Sequence, residues 1–320
     1  MTIGDGDFRY DFHDFYLDPL PDAPHPGGGS GRTHGVAVLD GGDLLLFRQG
    51  SPAVLRYSPQ GELKASFGDF AGAHGLEVVK EDGREVLWVT DEVSCKVQKL
   101  SLDGEVLMDL PSPPSDETIG GEEPARQRYV PTWATVAPSG DVFVGDGYGS
   151  HFVFRFGPDG TYKGKLTGEE GAGRFNEPHS VRFSPDGELF ITDRSTRRVT
   201  VYDADGRYLR HSDTACHSPA DFAFGGGHVY VAEILGEVKV LDAELNVLAA
   251  LGTNQGRHFP SPDEPAGWYP GPDGGYPDVP RDTLEVGQFH TPHGIAVAPN
   301  GDIYVGEWYE GGRVIKLEKK

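Results

Sequence analysis

At 320 residues, with 46 glycines, 25 prolines and 37% apolar residues in short runs, the chain suits many short strands joined by tight turns and disfavours long helices. Its formal net charge of -22 repels nucleic acid and acidic membrane surfaces, and no stretch approaches the ~18 consecutive apolar residues of a membrane helix. The start MTIGDGDFRYDF lacks the basic and apolar regions of a secretion signal, and Cys95 and Cys216 fall in different repeats, so a cytoplasmic protein with two free thiols and no nucleic-acid, membrane or obligate protein partner is expected.

In chain order, the first predicted element is a strand over about residues 8–18, where FRYDFHDFYLD roughly alternates apolar and polar side chains. Six copies of one pattern follow. They are THGVAVLDGGDLLLFR from Thr33, AHGLEVVKEDGREVLWVTD from Ala73, PTWATVAPSGDVFVGDG from Pro131, PHSVRFSPDGELFITDR from Pro178, SPADFAFGGGHVYVAE from Ser218 and TPHGIAVAPNGDIYVGE from Thr291. Each reads as an alternating strand, a PDG-like turn, an apolar strand ending in most copies in Asp or Glu, and a third strand such as HFVFRF or RVTVYD, with a fourth to follow. Four antiparallel strands at a period of roughly 40 residues predict an all-β, six-bladed β-propeller. The sixth copy ends at RVIKLEKK with room for three strands only, so the N-terminal strand is expected to complete that blade and close one domain spanning residues 1–320. Two segments, 111–129 and 253–290, exceed the period and are expected to lie near the channel mouth as a lid.

The start of a first strand and the end of a second lie at the same end of a propeller channel, because consecutive strands run antiparallel. At the first of these positions blades one to six carry His34, His74, Thr132, His179, Ala220 and His293. Four imidazoles on one narrow ring can converge on a metal ion, although a single His-Gly or Pro-His pair would read as a backbone-bonding feature of the repeat. At the second position stand Asp91, Asp146, Asp193, Glu233 and Glu307, expected to accept backbone amides of the next turn. Blade one has Arg48 there instead, which suggests either a bound anion or a neighbouring acid. Tyr148 and Arg194 follow the acid in their blades at the same end of the channel, and a phenol becomes a general base only where cations such as Arg48, Arg194 and a metal favour its phenolate. His217 and Asp221, near the start of blade five, either extend the site or serve the fold.

From about Leu44 to the C-terminus the chain resembles the NHL-repeat propeller of peptidyl-α-hydroxyglycine α-amidating lyase. His74 in AHGL, His179 in PHSV and His293 in PHGI match the strand starts that carry the family's three zinc-binding histidines. Tyr148 in DGYGSHF matches its catalytic tyrosine, and Arg48 in FRQG and Arg194 in TDRSTRR match its two active-site arginines. The resemblance implies a zinc ion, or another divalent transition metal, acting as Lewis acid, Tyr148 removing a hydroxyl proton, and Arg48 and Arg194, with His217 nearby, binding a small-molecule or peptide-terminal carboxylate. The carbinolamide C–N bond would then break to give an amide and glyoxylate. This chain departs from the family in three places: Gly149 replaces a disulfide cysteine, Gly294 replaces an acid of its structural calcium site, and His34 adds a fourth channel histidine. With no secretion signal or hydroxylating partner domain, a bacterial or intracellular relative acting on a smaller substrate is expected. Two other readings stay open: a metal-dependent lactonase-type hydrolase, whose group lines its channel with carboxylates and an asparagine, and a non-enzymatic NHL scaffold for a protein partner.

Overall fold

A computed structural model describes residues 1–17, 20–24, 30–213, 215–254 and 278–320. Most of the long segment at 253–290, expected to be a lid, lies outside the described residues. Among the described residues no helix is long and apolar enough to cross a membrane.

The alternating segments become strands, and the PDG-like and PNG-like turns bend between them on glycines such as Gly187 (φ +82°) and Gly301 (φ +87°), where the backbone enters a region closed to most side chains. Six antiparallel sheets result. Their first strands are Thr33–Val38, Ala73–Glu81, Trp133–Val136, Pro178–Phe183, Pro219–Gly225 and Pro292–Val297, within two residues of the predicted blade starts. Blades one to five have four strands each in sequence order, as the repeat predicts.

The sixth blade is closed from the N-terminus. Tyr10–His13 pairs antiparallel with the last strand, Arg313–Lys319, in the register Phe12 to Leu317, and a short strand, Thr2–Ile3, adds a fifth edge that the sequence pattern did not suggest. The hydrophobic core is six wedges, one between each pair of neighbouring blades, rather than a single centre. The wedge between blades one and six packs Val36 and Leu46 against Ala296 and Tyr304, so the ring has no open seam. Arg313, fully buried, donates to both Asp14 and Glu307 and pins the N-terminal segment to the closing blade.

The segment 111–129 contains two short 3₁₀ turns, Ser115–Thr118 and Pro124–Arg126. It packs on the turn that follows Tyr148, where Gly120 lies so close to Ser150 that a side chain would strike its carbonyl, and on the segment entering blade four, where Arg126 donates to the Phe175 carbonyl (3.3 Å).

Phe12 is buried in the blade five to six wedge, with its ring 5.4 Å from that of Phe289. Phe12→Ala should therefore cost about 3–5 kcal/mol of unfolding free energy, read from urea denaturation; a loss under about 1 kcal/mol would mean that the N-terminal strand does not close the ring.

Candidate metal centre

In every blade with a channel-facing histidine, the strand register slips at that residue. The irregularities fall between Thr33 and Gly35, Ala73 and Leu76, Pro178 and Ser180, and Pro292 and Gly294. A β-bulge leaves one residue unpaired and re-aims its side chain, and here the residues released are His34, His74, His179 and His293. All four are buried. The rings of His74, His179 and His293 form a triangle with centroids 4.7–5.1 Å apart, and His34 lies 4.9 Å from His74 and 4.6 Å from His293.

The acids at the second-strand ends hold these bulges in place. Asp91 accepts from the amides of Gly72, Val93 and Ser94, Asp193 from Asn176, and Glu307 from His290 and Thr291. Asp146 and Glu233 do the same for Val130 and Ser150 and for His217 and Ser218. The expected structural role is present, but most of the amides belong to the segment entering the first strand rather than to the next turn alone. Each carboxylate thus anchors the backbone just before the residue that lines the channel.

A rule of alternate blades governs the imidazoles. His74 of blade two, His179 of blade four and His293 of blade six each donate from Nδ1 to the carbonyl of the equivalent residue in the following blade: Thr132 (2.7 Å), Ala220 (2.6 Å) and His34 (3.1 Å). A carbonyl only accepts, so Nδ1 carries the proton and Nε2 keeps a bare lone pair. Burial, followed by Arg194 or neighbouring imidazoles, holds all three below the usual histidine range, His74 at about 3, so the rings are neutral.

Tyr148 hydroxyl lies 3.1 Å from His74 Nε2 and 3.0 Å from His179 Nε2, and accepts from Arg194 Nη2 at 3.2 Å. One phenol proton cannot serve two lone pairs, so one of these contacts lacks a hydrogen. A cation shared by the imidazoles removes that deficit, and the donors, neutral nitrogens tautomerically locked from behind, suit zinc, copper, iron or nickel. Calcium, which takes six to eight oxygens, is not suited. Nor can an acid stand at position 294: a Cβ on Gly294 would meet the His34 carbonyl at 2.4 Å.

Arg194 is brought to Tyr148, its guanidinium 5.4 Å from the ring centre. Arg48 is not. Its buried guanidinium donates to the carbonyls of Pro21, Asp22 and Pro52, with Asp22 as its neighbouring acid, and clamps the N-terminal segment to blade one. Among the described residues, His217 is joined to Glu233 through its backbone amide and not to the imidazole group. Asp221 accepts from Ser180 Oγ, Arg182 and the Ile295 amide, in a buried group where Arg182 also pairs with Glu77 (2.8 Å). Burial raises Glu77 to about 7 despite that arginine.

Two acids missed in the sequence flank the site. Glu177 pairs with Arg194 and accepts from Ser195 Oγ, and its backbone sits at φ +78°, a strained conformation for a non-glycine residue. Glu92 accepts from Gln49 (3.2 Å) and is raised to about 7, chiefly by burial. Of the cations expected to favour the Tyr148 phenolate, Arg194 reaches the phenol. Burial raises the phenol above its ordinary range, Glu92 and Glu177 add to the rise, and Arg194 offsets only part of it.

The Thr132 carbonyl that fixes His74 also accepts from Thr90 Oγ1 (2.9 Å), and a Cβ on Gly75 would lie 2.5 Å from it. Gly75→Ala should displace that carbonyl and weaken zinc binding by about 10–100-fold without touching a ligand, measured by competition with a chromophoric chelator; unchanged affinity would contradict the role given to the interblade bond.

Residues 175–202 and 289–317 match the NHL repeat. The chain is 30% identical over 142 residues to a probable peptidyl-α-hydroxyglycine α-amidating lyase of Caenorhabditis elegans, covering 43% of this chain and 38% of that protein. It is 28% identical over 198 residues to NHL repeat-containing protein 3 of Homo sapiens, covering 58% of this chain and 56% of that protein. The aligned regions thus span less than two thirds of either relative. Among solved structures, a streptogramin B lyase superposes with a TM-score of 0.59 at 14% identity, covering 100% of this chain and 98% of the other, a likeness of fold alone. The chain is therefore a six-bladed β-propeller carrying NHL repeats.

Proposed function

We propose that the protein is a metal-dependent carbon–nitrogen lyase of the amidating type, cleaving an α-hydroxyglycine-like carbinolamide to an amide and glyoxylate. The observation that carries this reading is the Tyr148 hydroxyl set between the bare Nε2 atoms of His74 and His179. The partial identity to an amidating lyase supports it.

His74, His179 and His293 would hold the metal through Nε2, their Nδ1–H groups remaining on the interblade carbonyls. Zinc or a related divalent ion would supply Lewis acidity toward the substrate hydroxyl and the positive charge that brings the Tyr148 proton within reach near neutral pH. Tyr148 then takes the hydroxyl proton, the C–O bond becomes a carbonyl, the C–N bond breaks with its electron pair on nitrogen, and the phenol returns the proton to that nitrogen. The products are an amide and an aldehyde acid, with no redox change and no water consumed.

Arg194 stabilises the tyrosine oxygen by its hydrogen bond, and Glu177 neutralises the guanidinium. A substrate carboxylate approaching Arg194 must therefore share it with Glu177. This favours a small substrate whose anchoring is divided among several groups over one held by a free arginine.

Full-length protein loaded with zinc should release glyoxylate from N-benzoyl-α-hydroxyglycine, and Tyr148→Phe should lower kcat by about 10²–10⁴-fold with zinc content unchanged. Metal-loaded protein inert toward a panel of N-acyl-α-hydroxyglycines would overturn the lyase reading. The scaffold reading would gain if the triple variant His74→Ala, His179→Ala, His293→Ala lost metal and kept every measured interaction.

A further inference from the structure

His34 departs from the rule that its neighbours obey. Rotating the interblade pattern by one blade would send its Nδ1 to the carbonyl of blade two. Instead, that nitrogen is buried and makes no hydrogen bond of ordinary geometry, the Arg32 backbone being a weak hydrogen-bond neighbour of the ring. A polar atom left unpartnered in a native interior calls for an explanation, and an absent ion is one of the few available. The side chain is 2% exposed, so solvent does not supply the missing partner.

Three ligand atoms, one each from His34, His74 and His293, lie within 4.8 Å of one another. His179 stands on the other side of the same His74 and His293 pair, with its Nε2 turned to Tyr148. The ring therefore brings ligand atoms of His34, His74 and His293 together and sets the His179 ring beside the same pair. The bulge between Thr33 and Gly35 that releases His34 is of the same kind as those that release the other three. Packing alone is a weaker account of this residue. Trp308, at 6.3 Å between ring centres, is a distant edge contact and leaves Nδ1 without a bond.

Building on the metal reading, we propose that His34 is a metal ligand in this protein, adding a fourth imidazole to the site formed by His74, His179 and His293. A site with three protein ligands leaves a position to water or substrate, whereas a fourth imidazole takes up part of that space from the blade-one side. Four neutral nitrogens with no carboxylate or thiolate select borderline metals such as zinc, copper, iron and nickel against calcium and magnesium.

The test uses the full-length chain with Cu(II) as a spectroscopic probe and zinc as an affinity probe. Pulsed EPR should count one imidazole fewer on Cu(II) in His34→Ala than in the unaltered protein, and zinc affinity should fall at least about tenfold, since even outer-shell losses cost that much. His228→Ala, at the opposite end of blade five, should change neither. Should His34→Ala fail to fold by circular dichroism, His34→Gln serves, because the imidazole count still falls by one. An unchanged count and affinity in a folded variant would overturn the role of His34 and leave the three-histidine site standing. Unaltered protein that binds neither Cu(II) nor zinc would overturn both.

Discussion

One hydrogen bond, repeated on alternate blades, sets the character of the channel. An imidazole that gives its Nδ1–H to the next blade's carbonyl has a single nitrogen left, and that nitrogen is a pure acceptor. Burial prevents the usual escape, protonation, so the channel gathers lone pairs in a dry place. The arrangement offers those lone pairs to a cation. The same bond also links blades two, four and six to their successors, so the geometry of the site is coupled to the closure of the ring.

Ring closure in turn depends on features far from the chemistry. The carbonyl serving His293 belongs to His34, across the junction between the last blade and the first. That junction is held by the wedge of Val36, Leu46, Ala296 and Tyr304 and by the N-terminal strand with its buried Arg313 pair. Glycine follows the channel residue in three histidine blades because the neighbouring chain passes too close for a side chain; at Gly75 and Gly294 the obstacle is the carbonyl that anchors a histidine or belongs to one. In blades two and six the bulge, the glycine and the carboxylate at the second-strand end form one local device that turns an imidazole inward and locks it.

The fold was legible because a propeller writes its plan periodically: apolar alternation, PDG-like turns and a truncated sixth copy with a spare N-terminal strand are all local patterns. The histidine ring was legible for the same reason, since equivalent positions in a repeat can be tallied without knowing any contact. What pairs across blades was not. Glu177 meets Arg194 only because a strained backbone turns it back onto the following turn, and nothing in FNEPHS announces that φ is positive. Arg48 looks like an active-site cation in sequence, and its hydrogen bonds to carbonyls of a segment some 26 residues earlier could not be read there. The phenol of Tyr148 shows the limit of reading charges by proximity. Desolvation, which depends on packing, outweighs the cation that sequence position brings to it.

The most direct test of the central claim is the tautomeric state of the channel histidines, read by long-range ¹⁵N–¹H correlation on the metal-free protein and again after adding zinc. Neutral rings protonated at Nδ1 in His74, His179 and His293, with zinc shifting the Nε2 resonances of all three, is the predicted result. Imidazolium rings, protons on Nε2, or Nε2 resonances indifferent to zinc would contradict it.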